Sequence, residues 1–403
     1  MSEMKLPRYR WVLLLGMFLP MIVFATMEYM APTPIAKIIE EELGIAEWQM
    51  GLIVGIVGLI LALFQFFTGL VVDRLGAKNT ITLSLTLMGV GGCLSAFSPD
   101  FYTLLLSRLI FAIGNVLHMP AISPIIMTWF SVDEYGKAQT VPSVSPSLGI
   151  ALTMAFVPSY LITMGWRNVL LLFAIILLIL DIIWFFAGRD PLFKREPSKL
   201  PSLTKLKKII KVRNVLLCGL AMFAVPGFII GYFSWFTVYA EDVGYPFHFL
   251  PMALFSMGSI IGIILGGILM DRVGLRRPFM IWAGCFGPIL MVLLVQFVTW
   301  GTPLSIVLPL AFIGSMLFML VGPAPYVIPM ESEGVDPEDI HWAMALNLFL
   351  AFTGSFIAPI LIGALADITG TYYHGLMIAA VTPILILISG MLMKETGWKA
   401  VAS

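Results

Sequence analysis

The sequence predicts an all-α membrane protein of twelve transmembrane helices in two pseudo-symmetric six-helix bundles. The chain is 60% hydrophobic and only 11% charged, whereas soluble proteins carry roughly a quarter of charged residues. Its apolar residues gather into twelve runs, and a bilayer core is crossed by about 20 apolar helical residues. A short motif also occurs twice, 198 residues apart in a chain of 403, which indicates two related halves.

Twelve apolar runs define the predicted helices. The first run follows a basic N-terminal segment, but it is too long for a signal peptide and has no small-x-small cleavage site, so we interpret it as a retained span. The third run is the shortest. The predicted spans are 11–33, 48–72, 80–97, 101–129, 138–163, 169–187, 215–239, 250–270, 279–300, 304–329, 342–366 and 374–393. They divide the chain into an N-terminal half (1–187), a linker (188–214) and a C-terminal half (215–403).

The positions of Lys and Arg predict the orientation. Twelve spans place both termini on one side, and cytosolic loops carry an excess of basic residues. Among the 23 Lys and Arg residues, only Lys37, Arg108 and Arg167 lie outside the segments that this topology places in the cytosol. The sequence therefore predicts an integral protein of the plasma (cell inner) membrane with both termini cytosolic. Its formal net charge of zero gives no indication of nucleic-acid binding.

The linker at 188–214 is the longest hydrophilic interruption and carries nine basic residues. Between 203 and 212, apolar residues alternate with lysines in a pattern typical of a short helix on an anionic membrane surface. A solvated linker that follows the positive-inside rule is an equally good interpretation.

The repeated motif reads GLVVDRLGAKN after the second span and GILMDRVGLRR after the eighth. A further similarity links the fourth and tenth spans, where AIGNVLHMPAISP and FIGSMLFMLVGPAP place glycines and prolines alike. The positions that correspond in the motif are Gly69 with Gly267, Asp73 with Asp271, Arg74 with Arg272, Gly76 with Gly274 and Lys78 with Arg276.

Two six-helix halves, a basic central loop and the pattern G-x-x-x-D-R-x-G-x-[KR] after the second and eighth spans resemble the major facilitator superfamily of secondary transporters. The resemblance covers essentially the whole chain. It implies alternating access, in which two halves rock about a central site. It also implies a chain that functions as a monomer, without a cofactor, with the lipid bilayer and a small-molecule substrate as its partners and no nucleic acid.

In a transporter of this kind the motif would act as an inner gate with two edges. Its glycines permit close helix approach and a tight turn, while its charges can reach carboxylates or helix ends. The alternative interpretation is that the motif is only a short basic turn required by topology. The expected carboxylate partners are Asp133 or Glu134 for Arg74 and Lys78, and Glu331 and Glu333 for the second copy.

Ionisable residues within spans are costly and are therefore candidates for function. Arg108 lies in a sequence that resembles the fourth-helix pattern R-x-x-x-G-x-G of the family, with Ala112 in place of the first glycine. Glu28 in span one is the matching acid, and a carboxyl within reach of a fixed arginine suits proton coupling. Asn115 shares the helix face of Arg108. Two alternatives remain open: Arg108 only binds backbone carbonyls, or Glu28 is a solvated helix-end residue.

Several other residues are candidates for substrate or proton contact, although ordinary packing explains each of them as well. His118 could assist proton transfer, but a lone histidine on a helix is more often a packing residue. Asp181 is expected to pair structurally, and Asp367 to cap a helix or turn. The remaining candidates for the cavity lining are Tyr232, Trp235, Tyr326 and Asn347.

The chemistry of these residues favours a carrier over an enzyme. The sequence contains no G-x-S-x-G, no H-E-x-x-H and no acidic metal cluster at membrane depth. Its three cysteines are scattered and its four histidines lack zinc spacing, so we expect no metal site. The prediction is a secondary active transporter that moves a small organic solute by alternating access with proton coupling.

The alternatives are proton-antiport efflux of lipophilic drug-like compounds and a non-transporting membrane sensor on the same scaffold. Spans seven to twelve contain no Lys or Arg, which disfavours a strongly anionic substrate held by paired cations. One monoanion on Arg108 remains compatible with the sequence, as does an amphipathic molecule against Met and aromatic surfaces.

Overall fold

The computed structural model describes residues 9–130, 134–190, 203–336, 339–397 and 399. Within these residues the regular elements are helices, without strands, and twelve of them are long and apolar enough to cross a membrane. The predicted number of spans is thereby confirmed. The twelve helices, α1 to α12, are Tyr9–Leu43, Glu47–Leu75, Ala77–Ala96, Phe101–Trp129, Tyr135–Met164, Trp166–Ala187, Arg213–Asp242, Leu250–Val273, Arg277–Thr299, Leu304–Glu331, Ile340–Thr369 and Tyr373–Leu392.

We call the end of the bundle at which α1 begins the terminal face, and the opposite end the distal face. The first span is predicted to end at residue 33; its α-helix ends at Met30, and a short 3₁₀ turn joins it to a further helical segment that extends α1 to Leu43. The extension is amphipathic: Ile35 and Ile39 are fully buried, while Glu41 and Glu42 are exposed. Apolar packing on one side therefore prolongs the helix beyond the apolar run, until Gly44 ends it with a positive φ of 62°.

The same helix pairings recur in the two sets of six. The third helix packs against the fourth and sixth, the second against the fourth, and the first against the fifth. In the C-terminal set, α9 packs against α10 and α12, α8 against α10, and α7 against α11. The two sets meet mainly along α2 with α11 and along α5 with α8. In the two sets of six, α2 corresponds to α8 and α5 corresponds to α11. The contact of α2 with α11 therefore corresponds to the contact of α8 with α5, and the contacts between the halves follow the same repeat.

Helices α2 and α11 approach each other along three glycines of α2, which we call the glycine seam: Gly51, Gly55 and Gly58. Their spacing of four and three residues places them on one helix face. A Cβ atom added at these positions would lie 2.5, 2.6 and 2.9 Å from a backbone oxygen of α11. Only glycine therefore permits this approach of the two halves.

The linker contains a short helix, Leu203–Ile210, that packs against the protein at the terminal face. Ile209 is fully buried in a cluster with Val215 and Trp342. Lys205 pairs with Asp339 at 2.7 Å, and Lys208 pairs with Asp336 at 2.6 Å. The hydrogen bond from Lys208 lowers the pKa of Asp336. The amphipathic pattern thus forms a helix whose apolar face covers the start of α11.

Candidate functional site

Glu28 of α1 and Arg108 of α4 form an ion pair inside the first six helices. Both side chains are completely buried, and Arg108 Nη1 lies 3.3 Å from Glu28 Oε1. Arg108 also donates to the backbone oxygens of Glu28, at 3.2 Å, and of Tyr29, at 2.8 Å. Gly92 of α3 leaves room for the acid, since a Cβ there would lie 2.8 Å from Glu28 Oε1. The arginine therefore binds both the carboxylate and the carbonyls that the sequence offered as alternatives.

The surroundings of this pair leave its hydrogen bonding incomplete. The guanidinium carbon of Arg108 lies 4.7 Å from the centre of the Phe111 ring, at a distance typical of a cation–π contact. Glu28 Oε2, Arg108 Nε and the Tyr29 hydroxyl are buried without a hydrogen-bond partner. The complete burial of Glu28 also excludes the interpretation of a solvated helix-end residue in this structure. The pair is thus a buried charge pair with unused donor and acceptor capacity.

His118 lies further along α4 and contacts α3. Ser84 Oγ donates to the Gly114 carbonyl at 2.8 Å and lies 3.2 Å from His118 Nδ1. Because the serine hydrogen is committed to Gly114, Nδ1 must be the donor to Ser84, which leaves Nε2 as a buried acceptor without a partner. Asn115 is half-buried on the same helix. The histidine geometry matches a hydrogen-bonded packing residue.

The aromatic candidates of α7 do not line an open cavity in this structure. Tyr232 donates its hydroxyl to the Met291 carbonyl of α9 at 2.8 Å, and Trp235 donates its indole N–H to the Pro359 carbonyl of α11 at 2.9 Å. Both side chains are fully buried in this conformation, and each contacts a backbone carbonyl of another helix. Their size and their single donor suit them to satisfy carbonyls inside the bundle.

The two remaining candidates differ in exposure. Tyr326 of α10 is 42% exposed. Asn347 of α11 is completely buried, and neither atom of its side-chain amide has a hydrogen-bond partner. Asp181 of α6, which was expected to pair structurally, accepts a hydrogen bond from Thr86 of α3 at 2.6 Å.

The second copy of the repeated motif is tied to the ends of α10 and α12. Arg276 donates to both carboxylate oxygens of Glu331, at 2.9 and 3.2 Å, and lies 3.5 Å from Asp271. The hydrogen bond to Glu331 is the main reason why the pKa of Arg276 is raised. Glu395 accepts the backbone N–H groups of Arg276 and Arg277, at 2.7 and 3.0 Å, and so caps α9. Glu333 pairs with Lys394 at 3.6 Å on the exposed surface.

The first copy has a similar backbone and different side-chain contacts. Gly76 has a φ of 82°, and the corresponding Gly274 has a φ of 72°, so both turns use a conformation that favours glycine. The backbone N–H of Lys78 donates to Asp190 at 3.1 Å. Asp190 therefore lies at the start of α3 in the same way that Glu395 lies at the start of α9.

The sequence predicts Asp133 or Glu134 as the carboxylate partner of Arg74 and Lys78. Arg74 is exposed, and Glu134 accepts a hydrogen bond from Arg10 of α1 at 2.8 Å. Asp133 lies outside the described residues. Sequence reasoning missed Asp190 and Glu395; the signal for both was an isolated acid shortly after the last helix of each half.

Replacement of Arg276 by alanine should destabilise the protein, because Glu331 loses two charge-assisted hydrogen bonds. For a pair that is partly open to solvent, we expect the free energy of unfolding to fall by about 1–2 kcal/mol. The measurement is the melting temperature of the purified protein in detergent. Arg272→Ala in the same turn removes an exposed arginine and serves as the control. Equal melting temperatures for the two variants would show that the Glu331 contact does not stabilise the turn.

Contacts at the distal face join the two sets of six helices. Asp367, at the end of α11, accepts the backbone N–H groups of Glu47 and Trp48 at the start of α2, at 3.1 and 2.9 Å. Lys37 of α1 forms an ion pair with Asp242 of α7. The capping role expected for Asp367 is therefore present, but the helix that it caps belongs to the other half.

Comparison with known proteins places these features in a family. Residues 17–339 match the family model of the Major Facilitator Superfamily. The hexuronate transporter of Bacillus subtilis (strain 168) is 24% identical over 94% of this chain and 92% of its own. A probable sulfoacetate transporter of Cupriavidus necator is 22% identical over 91% and 90%. A probable nitrate/nitrite antiporter of Thermus thermophilus is 30% identical over 63% and 59%.

The fold also resembles a solved structure along most of its length. A bacterial homologue of the human lysosomal transporter Spinster, in an inward-facing and unoccupied conformation, superposes with a TM-score of 0.72 at 16% identity, over 95% of either chain. The same homologue in an inward-facing and occupied conformation gives a TM-score of 0.68. At this level of identity the similarity concerns the fold alone.

Proposed function

Because the chain belongs to the major facilitator superfamily and is thus a membrane transporter of small solutes, we propose that it carries a small organic monoanion together with protons. The observation that carries the proposal is the buried pair of Glu28 and Arg108. Asn115 and His118 lie on the helix of Arg108, and we assign them to the surroundings of the coupling site.

The electrostatics of the pair link proton binding to anion binding. A buried charge is stable only with a partner of opposite sign, and removal of one member leaves the other uncompensated at a high energetic cost. When Glu28 takes up a proton, Arg108 keeps its charge, because an arginine remains protonated. An incoming anion then replaces the lost negative charge. Proton and anion would therefore travel in the same direction.

The number of buried cations indicates the charge of the solute. Arg108 is the one arginine or lysine in the interior of the predicted spans, which suits one carboxylate rather than a dianion. The names of the similar proteins include hexuronate and nitrate, which carry one negative charge, and sulfoacetate, which carries two. These names support an anion over the lipophilic, drug-like compounds that the sequence left open, and the single buried cation is what favours a monoanion among them.

The arrangement of the two halves supports alternating access. Residues 1–187 and 215–403 would move as two bodies joined by the linker at 188–214, and a single chain contains both. The distal face is held by contacts of Asp367 and Lys37 across the halves. If the terminal face is cytosolic, as the basic residues predict, this conformation is closed toward the outside. The two turns of the repeated motif would then form the inner gate.

Uptake into proteoliposomes tests the proposal. We expect counterflow with D-glucuronate or a similar monocarboxylate, and faster uptake when the outside is made more acidic than the lumen. D-xylose and a lipophilic cation such as tetraphenylphosphonium serve as neutral and cationic comparisons. Transport of the cation alone, or uptake of the acid that is unaffected by the proton gradient, would contradict the proposal.

A further inference from the structure

The contact between the halves at the distal face is a helix cap. The first N–H groups of a helix have no partner within the helix, and a carboxylate there binds them with help from the helix dipole. Asp367 of α11 supplies this carboxylate to α2 with one oxygen for each of the N–H groups of Glu47 and Trp48. A Cβ on Gly363 of α11 would lie 2.4 Å from the backbone carbonyl oxygen of Glu47. The backbones of α2 and α11 are thus in close contact at this point.

Two further carboxyls lie beside this cap. We call Glu40, Glu47 and Asp367 the distal carboxyl cluster, since Glu47 and Asp367 both act electrostatically on Glu40. Tyr372, which is only 2% exposed, lies against the cluster. Burial, and after it the charges of Glu40, Glu47 and Asp367, raise the pKa of Tyr372. Its ring also stacks on Trp235 at 4.7 Å, so aromatic side chains lie on the inner side of the cluster, whereas Asp367 is exposed.

The hydrogen bonding of the cluster is uneven. Both oxygens of Asp367 accept a backbone N–H and so have hydrogen-bond partners. In contrast, Glu40 Oε1 is buried without a partner, and Glu47 Oε2 and the Tyr372 hydroxyl face each other without forming a well-aligned hydrogen bond. A buried carboxyl oxygen without a donor is satisfied most simply when the acid itself carries a proton. The place for a proton is therefore Glu40 or Glu47.

Nearby charges increase this preference. Lys37 is the cation that faces Glu40 and Glu47, and it is already paired with Asp242 of α7. Glu41 adds a further negative charge next to Glu40. Carboxylates that share a partly buried site cannot all remain ionised without strong repulsion. When the halves separate at the distal face, water enters and this repulsion falls.

We propose that the distal carboxyl cluster binds a proton when the distal face is closed and releases it when that face opens. The closed state binds the proton more tightly, so a fall in pH shifts the two conformations toward closure, and a rise in pH favours opening. The inference rests on the proposed alternating access of the halves, but it does not depend on Glu28 and Arg108. It adds a second proton site, located at the gate.

Pulsed electron paramagnetic resonance can measure the opening directly. Spin labels are placed at Tyr102→Cys and Trp300→Cys, two exposed residues at the distal ends of α4 and α9, in a chain whose native cysteines are replaced by serine. The protein is reconstituted in lipid nanodiscs without substrate, and the distance distribution is recorded from pH 5 to pH 9. We expect the longer distance to gain population as the pH rises.

The variants give opposite shifts. Glu47→Gln and Glu40→Gln should keep the distal face closed to higher pH, with the midpoint raised by at least about one pH unit, because a neutral side chain needs no proton. Asp367→Asn should favour the open form at every pH, because the cap loses a charged acceptor. Glu41→Gln, at an exposed neighbour, should shift the midpoint less than either cluster variant, because its charge is the weakest of those that act on Glu40. Asp181→Asn, at a carboxyl that bonds to Thr86, should retain the pH dependence of the parent protein.

Several results would overturn the inference. One is an unchanged midpoint in both cluster variants, and another is an equal shift in Glu41→Gln. A response that follows sodium concentration rather than pH would assign the cluster to a metal cation instead. If the label distance stays single at every pH and in every variant, including Asp367→Asn, the alternating access of the halves itself is wrong.

Discussion

Glu28→Gln should retain counterflow of the solute and lose accumulation driven by a proton gradient. Glutamine is similar in size and can still bond to Arg108 through its oxygen, but it cannot exchange a proton. Counterflow requires only that the loaded carrier reorients, whereas accumulation requires a proton that returns with each cycle. Uptake of labelled monocarboxylate into proteoliposomes, with and without an inward proton gradient, measures both properties.

The control is a second buried carboxyl of the same half. Asp181→Asn removes an acid that bonds to Thr86, and this variant should still accumulate solute in response to the proton gradient. Removal of one member of a buried pair also costs about 3–5 kcal/mol of stability. The double variant Glu28→Gln with Arg108→Gln should recover part of this loss without recovering accumulation. Accumulation by Glu28→Gln at the level of the parent protein would exclude Glu28 as the coupling group.

Gly55→Ala should strongly impair transport, because the added methyl group would lie 2.6 Å from the Phe356 backbone oxygen of α11. A backbone oxygen in a helix cannot move aside as a flexible side chain can. Overpacking of this kind costs about 1–3 kcal/mol, which shifts the population away from this conformation roughly 5- to 160-fold. The initial rate of uptake, compared at equal amounts of reconstituted protein, is the measurement.

Gly16→Ala provides the matched control for the glycine seam. Its Cβ would meet only the Val12 side chain, at 3.7 Å, which is an ordinary contact. We expect this variant to transport at a rate close to that of the parent protein. Equal rates for Gly55→Ala and Gly16→Ala would show that the close approach of α2 and α11 is not needed for transport.

The number of helices could be predicted from the local composition of the chain. The extension of α1 could not be predicted, and this also has a local cause. Each apolar run had to form a helix because lipid offers no partner for a free peptide group, so the number of spans was readable from composition alone. The end of α1 was not readable, because Lys37 and Glu40 interrupt the apolar run although Ile35 and Ile39 are buried. A helix that continues on the strength of one packed face leaves a weaker signal than a run that is apolar all round.

The pairing of Glu28 with Arg108 could be proposed from sequence, since two opposite charges at membrane depth require each other. The aromatic residues were different. Nothing in the sequence around Trp235 distinguishes an indole that lines a cavity from one that bonds to the Pro359 carbonyl of another helix. A free backbone acceptor becomes visible only when both helices have been placed.

What the sequence by itself determined is the class of the protein, its twelve helices, its repeat and the costly charges within them. These features depend on the solvent around each segment, which composition records. The tertiary structure alone decided that Asp367 caps a helix of the opposite half, that Glu395 and Asp190 stand at the starts of α9 and α3, and that three glycines of α2 meet α11. Contacts of this kind join residues that are distant in the chain, and their energies depend on distances that no single segment contains.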